Sequence, residues 1–168
     1  MIDQAMFTPV TVPADVALEI EMEERRRVVA EAMTWVGTPY RVAANVKGAG
    51  IDCAMILIEV YAAAGIIEWR DPRPYPPDYY LHNKSPRYLN EVGMHAREIK
   101  REELNIGDTV LFKFGHAPAH SGIIIDMNGL TMVHSYKGRG CIVDDLEKTP
   151  WLLSRVDSYW SMWPRGNN

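Results

Sequence analysis

Cys53 follows Asp52 and opens the run Ala54-Met55-Ile56-Leu57-Ile58, which is apolar throughout. Such a run reads as a buried central helix reaching Tyr61, with Asp52 as its N-cap and Gly65 as its stop. A thiol on the first turn of a helix lies near a partial positive charge of ~0.5, which favours the thiolate. The small residues Gly48, Ala49 and Gly50 leave room for a carbonyl to approach, and the free N–H groups of the first turn suit an oxyanion. The chemistry on offer is nucleophilic attack by sulfur. The plain alternative is that Cys53 is one more buried apolar residue.

A thiol nucleophile needs a base. Of five histidines, His120 and His134 stand 14 apart around an Asp126-Met127-Asn128-Gly129 turn. An even separation with a three-residue Met127–Gly129 loop places both imidazoles on one face of a hairpin, expected to be the face that meets the Cys53 helix. Gly129 would then be left-handed and form the bulge, whereas a two-residue Asn128-Gly129 turn would send the rings to opposite faces. On a shared face one ring takes the thiol proton and the other orients it. Alternatively His134 is an ordinary strand histidine. A metal site competes, because His116 and His120 form an H-x3-H with Cys53, His134 and Cys141 in reserve, but Pro118 breaks the helix such pairs need. His82 and His95 read as loop residues, and Cys141 as a strand end.

The elements that must carry these residues divide by region. Residues 23–36 show helical spacing at Val29, Met33 and Val36, with Glu21/Arg25 and Glu23/Arg27 at i, i+4, before Gly37 and Pro39 end the run. Upstream, Val16, Leu18, Ile20 and Met22 alternate like a strand although their residue types favour helix. Residues 71–78 hold four prolines and form an extended loop, and a short helix is expected over Ser85–Val92. Thr109–Phe114, Ser121–Asp126, Thr131–Tyr136, Cys141–Val143 and Val156–Trp163 read as strands. Helices first and strands after predict an α+β fold with an antiparallel sheet.

The whole chain, 168 residues with 47% apolar and 24% charged, fits one ordinary domain. A net charge of −4 gives no sign of a protein that tracks nucleic-acid phosphates, and a small-molecule or neutral polymer partner fits it better. The longest stretch without Asp, Glu, Lys or Arg is Phe114–Ile125, 12 residues, too short for a membrane span. Met1-Ile2-Asp3-Gln4 lacks the start of a signal peptide, so synthesis in the cytoplasm and two free thiols are expected.

Taken in order, Gly37-Thr38-Pro39-Tyr40, Gly50-Ile51-Asp52-Cys53, Gly107–Phe112, His120-Ser121-Gly122-Ile123 and His134-Ser135 resemble the NlpC-type cell-wall cysteine peptidases over roughly residues 23–163. The Lys47–Tyr61 loop and helix, the Pro-rich segment and the aromatic Tyr159-Trp160 strand look like the branch of tailed phages, prophages and gene transfer agents. The resemblance implies a papain-like α+β core, helices packed on a five- to six-stranded antiparallel sheet, as one peptidase domain over residues 23–168; residues 1–22 lie outside it and read as an N-terminal arm or extension. It implies Cys53 as nucleophile, His120 as base, His134 as its orienting group, and Tyr40, Asp52 and Ala54 near substrate or oxyanion, with no metal or cofactor. Where the family commonly has Ser-Gly-Leu after Asp-Cys, this chain has Ala54-Met55-Ile56. The implied substrate is the peptidoglycan stem peptide, and the implied partners are other tail or baseplate subunits at a virion tail tip acting on the cell wall. A structural tail protein with vestigial activity, or a thiol acyltransferase, is the alternative.

Overall fold

The computed structural model describes residues 12–75 and 87–164. Helix α1 (Ala14–Met33) is followed by a small hairpin, β1 (Asn45–Val46) and β2 (Gly50–Ile51), then helix α2 (Met55–Ala63) and helix α3 (Arg87–Gly93). The sheet follows: β3 (Arg97–Ile99), β4 (Thr109–Phe114), β5 (Ala117–Asp126), β6 (Thr131–Tyr136) and β7 (Gly140–Asp145), then helix α4 (Pro150–Leu153) and β8 (Val156–Ser161). The six strands run antiparallel in the order β3-β8-β4-β5-β6-β7. This is the expected α+β architecture, with α1 to α3 ahead of the six-stranded sheet and the short α4 between its last two strands.

Helix α1 starts nine residues earlier than the helical spacing alone indicates. Helix propensity wins over the alternating pattern, so Val16, Leu18 and Ile20 end up exposed. The boundary drawn between residues 22 and 23 therefore falls inside a helix, while residues 1–11, His82 and the first part of the expected Ser85–Val92 helix lie outside the described residues. Of the two expected ion pairs, Arg25–Glu21 forms at 2.8 Å, and Arg27 instead meets Glu24 at 3.9 Å.

Two cores flank the sheet. On one face Val28 and Ala32 of α1 and Met55, Ile56 and Val60 of α2 pack on Leu111, Ile123 and Val133. On the other face Val110, Phe112, Ile124 and Met132 pack on Leu130, Leu146 and Leu152. Arg25 fastens α1 to the sheet from within. It is 4% exposed, donates to Asp108 Oδ1 and to the Ile106 carbonyl, both at 2.8 Å, and stacks on Trp163 at 4.0 Å. Tyr61 does the same for α2 by donating to the Gly107 carbonyl at 2.6 Å. Helix α2 ends as expected at Gly65, where the Ile66 N–H reaches the Tyr61 carbonyl at 2.9 Å.

Among the described residues no helix is long and apolar enough to cross a membrane.

Candidate active site

The nucleophile's loop is anchored by Asp52. It is 2% exposed and accepts from four donors: Ala54 N–H at 3.1 Å, Met55 N–H at 2.9 Å, Ala43 N–H at 2.6 Å and the Tyr75 hydroxyl at 2.7 Å. Two of these bonds cap the start of α2, and two tie in the loop before it and the Pro-rich segment after it. Asp52 lines the cleft, but its oxygens hold backbone in place, and the Ala54 N–H is among the groups held. Cys53 itself sits two residues before Met55, half-buried at the mouth of the helix.

Two serines set the height of this loop over the sheet. Ser121 Oγ donates to the Cys53 carbonyl at 2.9 Å, joined there by the Tyr88 hydroxyl of α3 at 2.8 Å. Ser135 Oγ donates to the Ile51 carbonyl at 2.9 Å. Each serine directly follows one of the two histidines, and alternation along a strand sends serine and histidine to opposite faces.

The expected placement of the histidines is therefore corrected. His120 and His134 do share a face, but it is the face of Phe112, Ile124 and Met132, not the one on which α2 packs. The turn differs too. Ile124 pairs with Met132 and Asp126 with Thr131, so the bulged residue is Ile125 and the loop has four residues, Met127–Leu130. One extra residue restores the parity that a three-residue loop would have given. Gly129 is left-handed (φ 68°), and a Cβ there would lie 2.5 Å from the Asp145 carboxylate, so glycine is required although it is not the bulge.

A second bulge brings the thiol and the imidazole into one cleft. Phe112 pairs with His120 and Lys113 with Pro118, which leaves Ala119 unpaired near the start of β5. The Cys53 thiol donates to the Ala119 carbonyl at 3.6 Å, one residue from His120. Pro118 lies next to this bulge, a place in a sheet where proline is tolerated. The cleft, about 250 Å³, is lined by Cys53, His120, Tyr40, Tyr136, Lys137 and Arg87 among others. Tyr40 reaches it through a bridge to Ile51. His116 stands away in the exposed β4–β5 turn.

Behind His120 a chain of hydrogen bonds runs back through the sheet. His120 Nε2 and His134 Nδ1 are 2.8 Å apart, and His134 Nε2 is 3.2 Å from Asp144 Oδ2. Arg139 donates to both oxygens of Asp144, at 2.8 and 3.3 Å. Sequence reasoning missed Asp144 and Arg139. Their signal was present in the register, since Asp144 lies two residues from Ile142, the partner of His134. Tyr88 was missed for lack of any motif.

Burial governs the ionisation. It pushes the Cys53 thiol up to about 12, with the Asp52 charge adding to it, so the expected lowering by the helix N-terminus is overturned. Burial, helped by His134, holds His120 well below the usual imidazole range, and burial lowers His134 against the pull of Asp144. Both shifts favour the neutral form, of the thiol and of the imidazole that shares its cleft.

Comparison with known proteins bears on the family and the fold. The chain is 26% identical over 130 residues to the Murein DD-endopeptidase MepS/Murein LD-carboxypeptidase of Escherichia coli K12, an alignment covering 77% of the chain and 59% of that protein. The same match recurs in the O157:H7 strain. The chain thus spans less than two thirds of these relatives' length. In fold it is similar to the NlpC/p60 domain of the peptidoglycan hydrolase SagA, with TM-score 0.57, 19% identity and 82% and 97% of the two chains covered. It is also similar to an NLP/P60 family protein from Staphylococcus aureus, with TM-score 0.60, 19% identity and 85% and 42% covered. The description of one family matches residues 37–158, which hold Tyr40, Cys53 and both histidines, and on that match the chain belongs to the NlpC/P60 family.

Proposed function

We propose that this protein is a cysteine peptidase that hydrolyses stem-peptide amide bonds in peptidoglycan, and that it works at the tail tip or baseplate of a phage-type particle, opening the wall locally as DNA is delivered. The observation that carries the hydrolase reading is the thiol of Cys53 sharing a cleft with His120, itself backed by His134 at 2.8 Å. The names of the relatives, a murein endopeptidase and a peptidoglycan hydrolase, support the substrate. Support for the tail assignment is the order of segments in the sequence, from the Lys47–Tyr61 loop and helix to Tyr159-Trp160.

In this mechanism the thiol turns from the Ala119 carbonyl toward His120, which accepts its proton as sulfur attacks the amide carbon. The oxyanion takes hydrogen bonds from the Cys53 N–H and the Tyr40 hydroxyl. His120 then protonates the leaving amine as the C–N bond breaks, leaving a thioester. Water attacks the thioester with His120 as base, and the thiol recovers its proton. The Ala54 methyl leaves the cleft without a hydroxyl at that position.

Mass analysis of muropeptides tests the reaction. Purified protein is expected to release cleaved stem peptides, and Cys53→Ala is expected to release none. Intact muropeptides with the wild-type protein would overturn the peptidase reading and leave an assembly role. Immunogold labelling of isolated particles tests the location, with label at the tail tip expected and label absent from particles against it.

A further inference from the structure

The geometry points to Asp144, clamped by Arg139, as the positioning residue that fixes the tautomers of both active-site histidines and so makes His120 Nδ1 the base. This rests on the peptidase reading above, although its structural half can be tested without turnover.

The argument follows proton by proton. Asp144 accepts from the Arg139 guanidinium through both oxygens, as a carboxylate. A carboxylate only accepts, so the bond from His134 Nε2 at 3.2 Å requires the proton to be on that nitrogen. A neutral imidazole has one N–H, so His134 Nδ1 carries a lone pair. The contact at 2.8 Å then requires His120 Nε2 to donate. The lone pair of His120 is left on Nδ1, the nitrogen not engaged by His134. Reversing either ring would set two lone pairs or two protons against each other. One carboxylate thus orders two rings in series.

The same residues set the affinity of the pair for a proton. When His120 takes the thiol proton, the positive charge sits two hydrogen bonds from Asp144. Asp144 favours that charge and Arg139 opposes it, while burial opposes it on both rings. The cleft that His120 lines also holds Cys53, Asp52, Lys137, Arg70, Arg87, Glu91 and His95, and the Tyr136 ring lies 5.5 Å from the His120 ring and 6.0 Å from that of His134. Asp144 is 13% exposed in its side chain and Arg139 is 52% exposed, so the clamp is closed on the His134 side and open to solvent behind.

The experiment uses the full chain labelled with 15N-histidine, in wild-type, Asp144→Asn and Arg139→Met forms. Imidazole 15N–1H correlation spectra report tautomer and titration midpoint ring by ring. Wild-type protein is expected to show Nε2–H on both rings. Asp144→Asn is expected to mix the tautomers and move the midpoint of the pair to lower pH, whereas Arg139→Met moves it to higher pH. In parallel, kcat for Asp144→Asn falls at least about tenfold while KM stays within about twofold, and the acid limb of kcat/KM moves with the midpoint. Because Arg139 is at an exposed turn, its variant reads the relay even if Asp144→Asn folds poorly. Unchanged tautomers and midpoints in both variants would overturn the proposal. Shifts as expected in a protein that cleaves no peptidoglycan would uphold the relay and sink the peptidase reading.

Discussion

His120 Nε2 lies 2.8 Å from His134 Nδ1, and both rings are buried with their affinity for protons lowered. A protonated His120 cannot accept the thiol proton, so activity is lost as pH falls through the lowered value, not through the ordinary imidazole value of ~6.5. The acid limb of kcat/KM is therefore expected below ~6.5. A limb centred at or above that value would show that the pair is not neutral at rest.

Cys53 gives the complementary expectation. With its thiol pushed up to about 12, only a small fraction is thiolate near neutrality. Since the thiolate is the reactive form, inactivation by iodoacetamide is expected to climb about tenfold per pH unit from pH ~7 to ~9. Cys141 is 0% exposed and does not compete, and Cys53→Ala supplies the blank. A rate already flat between pH ~6 and ~8 would instead signal a preformed thiolate–imidazolium pair.

Stability turns on a different buried pair. Arg25 and Asp108 meet at 2.8 Å with side-chain exposures of 5% and 0%. Burial raises the Asp108 carboxyl and Arg25 pulls it back down. Arg25→Ala leaves that carboxylate unpaired and is expected to cost about 3–5 kcal/mol in urea unfolding. The double variant Arg25→Met/Asp108→Asn is expected to recover part of the loss, because no charge is then stranded. A loss under ~1 kcal/mol for Arg25→Ala would mean that water reaches Asp108.

Local chemistry was legible in the sequence where one residue decides a structure. Asp52 capping α2, Gly65 ending it and the strands Thr109–Phe114 and Thr131–Tyr136 each follow from residue type and period. What depends on pairing register was not legible. The parity of His120 and His134 was correct, but the bulge that delivers it is Ile125, and nothing in an apolar Ile-Ile-Ile run marks which residue bulges. The Asp144–Arg139 clamp was hidden for the same reason, since it exists only once β7 is laid beside β6. The Cys53 thiol shows a third kind of gap: a helix start argues for thiolate, but burial and Asp52 outweigh it.

Gly122 is the residue through which packing and chemistry can be separated. It lies between Ser121, which anchors the Cys53 carbonyl, and Ile123, which packs in the α2 core. A Cβ at Gly122 would lie 2.5 Å from Met132 Sδ, 3.3 Å from Met132 Cγ and 3.5 Å from His134 Cβ. Its backbone is not in the left-handed region, so alanine there is opposed by crowding alone. Met132 is flexible but fully buried, and its thioether has to displace neighbours. Gly122→Ala is therefore expected to cost about 1–3 kcal/mol and to lower kcat by tilting His134 away from His120. Shortening the obstructing side chain in Gly122→Ala/Met132→Ala vacates the space, and kcat is expected to return toward wild type although stability falls further. If kcat stays low in the double variant while the fold persists by circular dichroism, Gly122 acts through something other than the room it leaves beside His134.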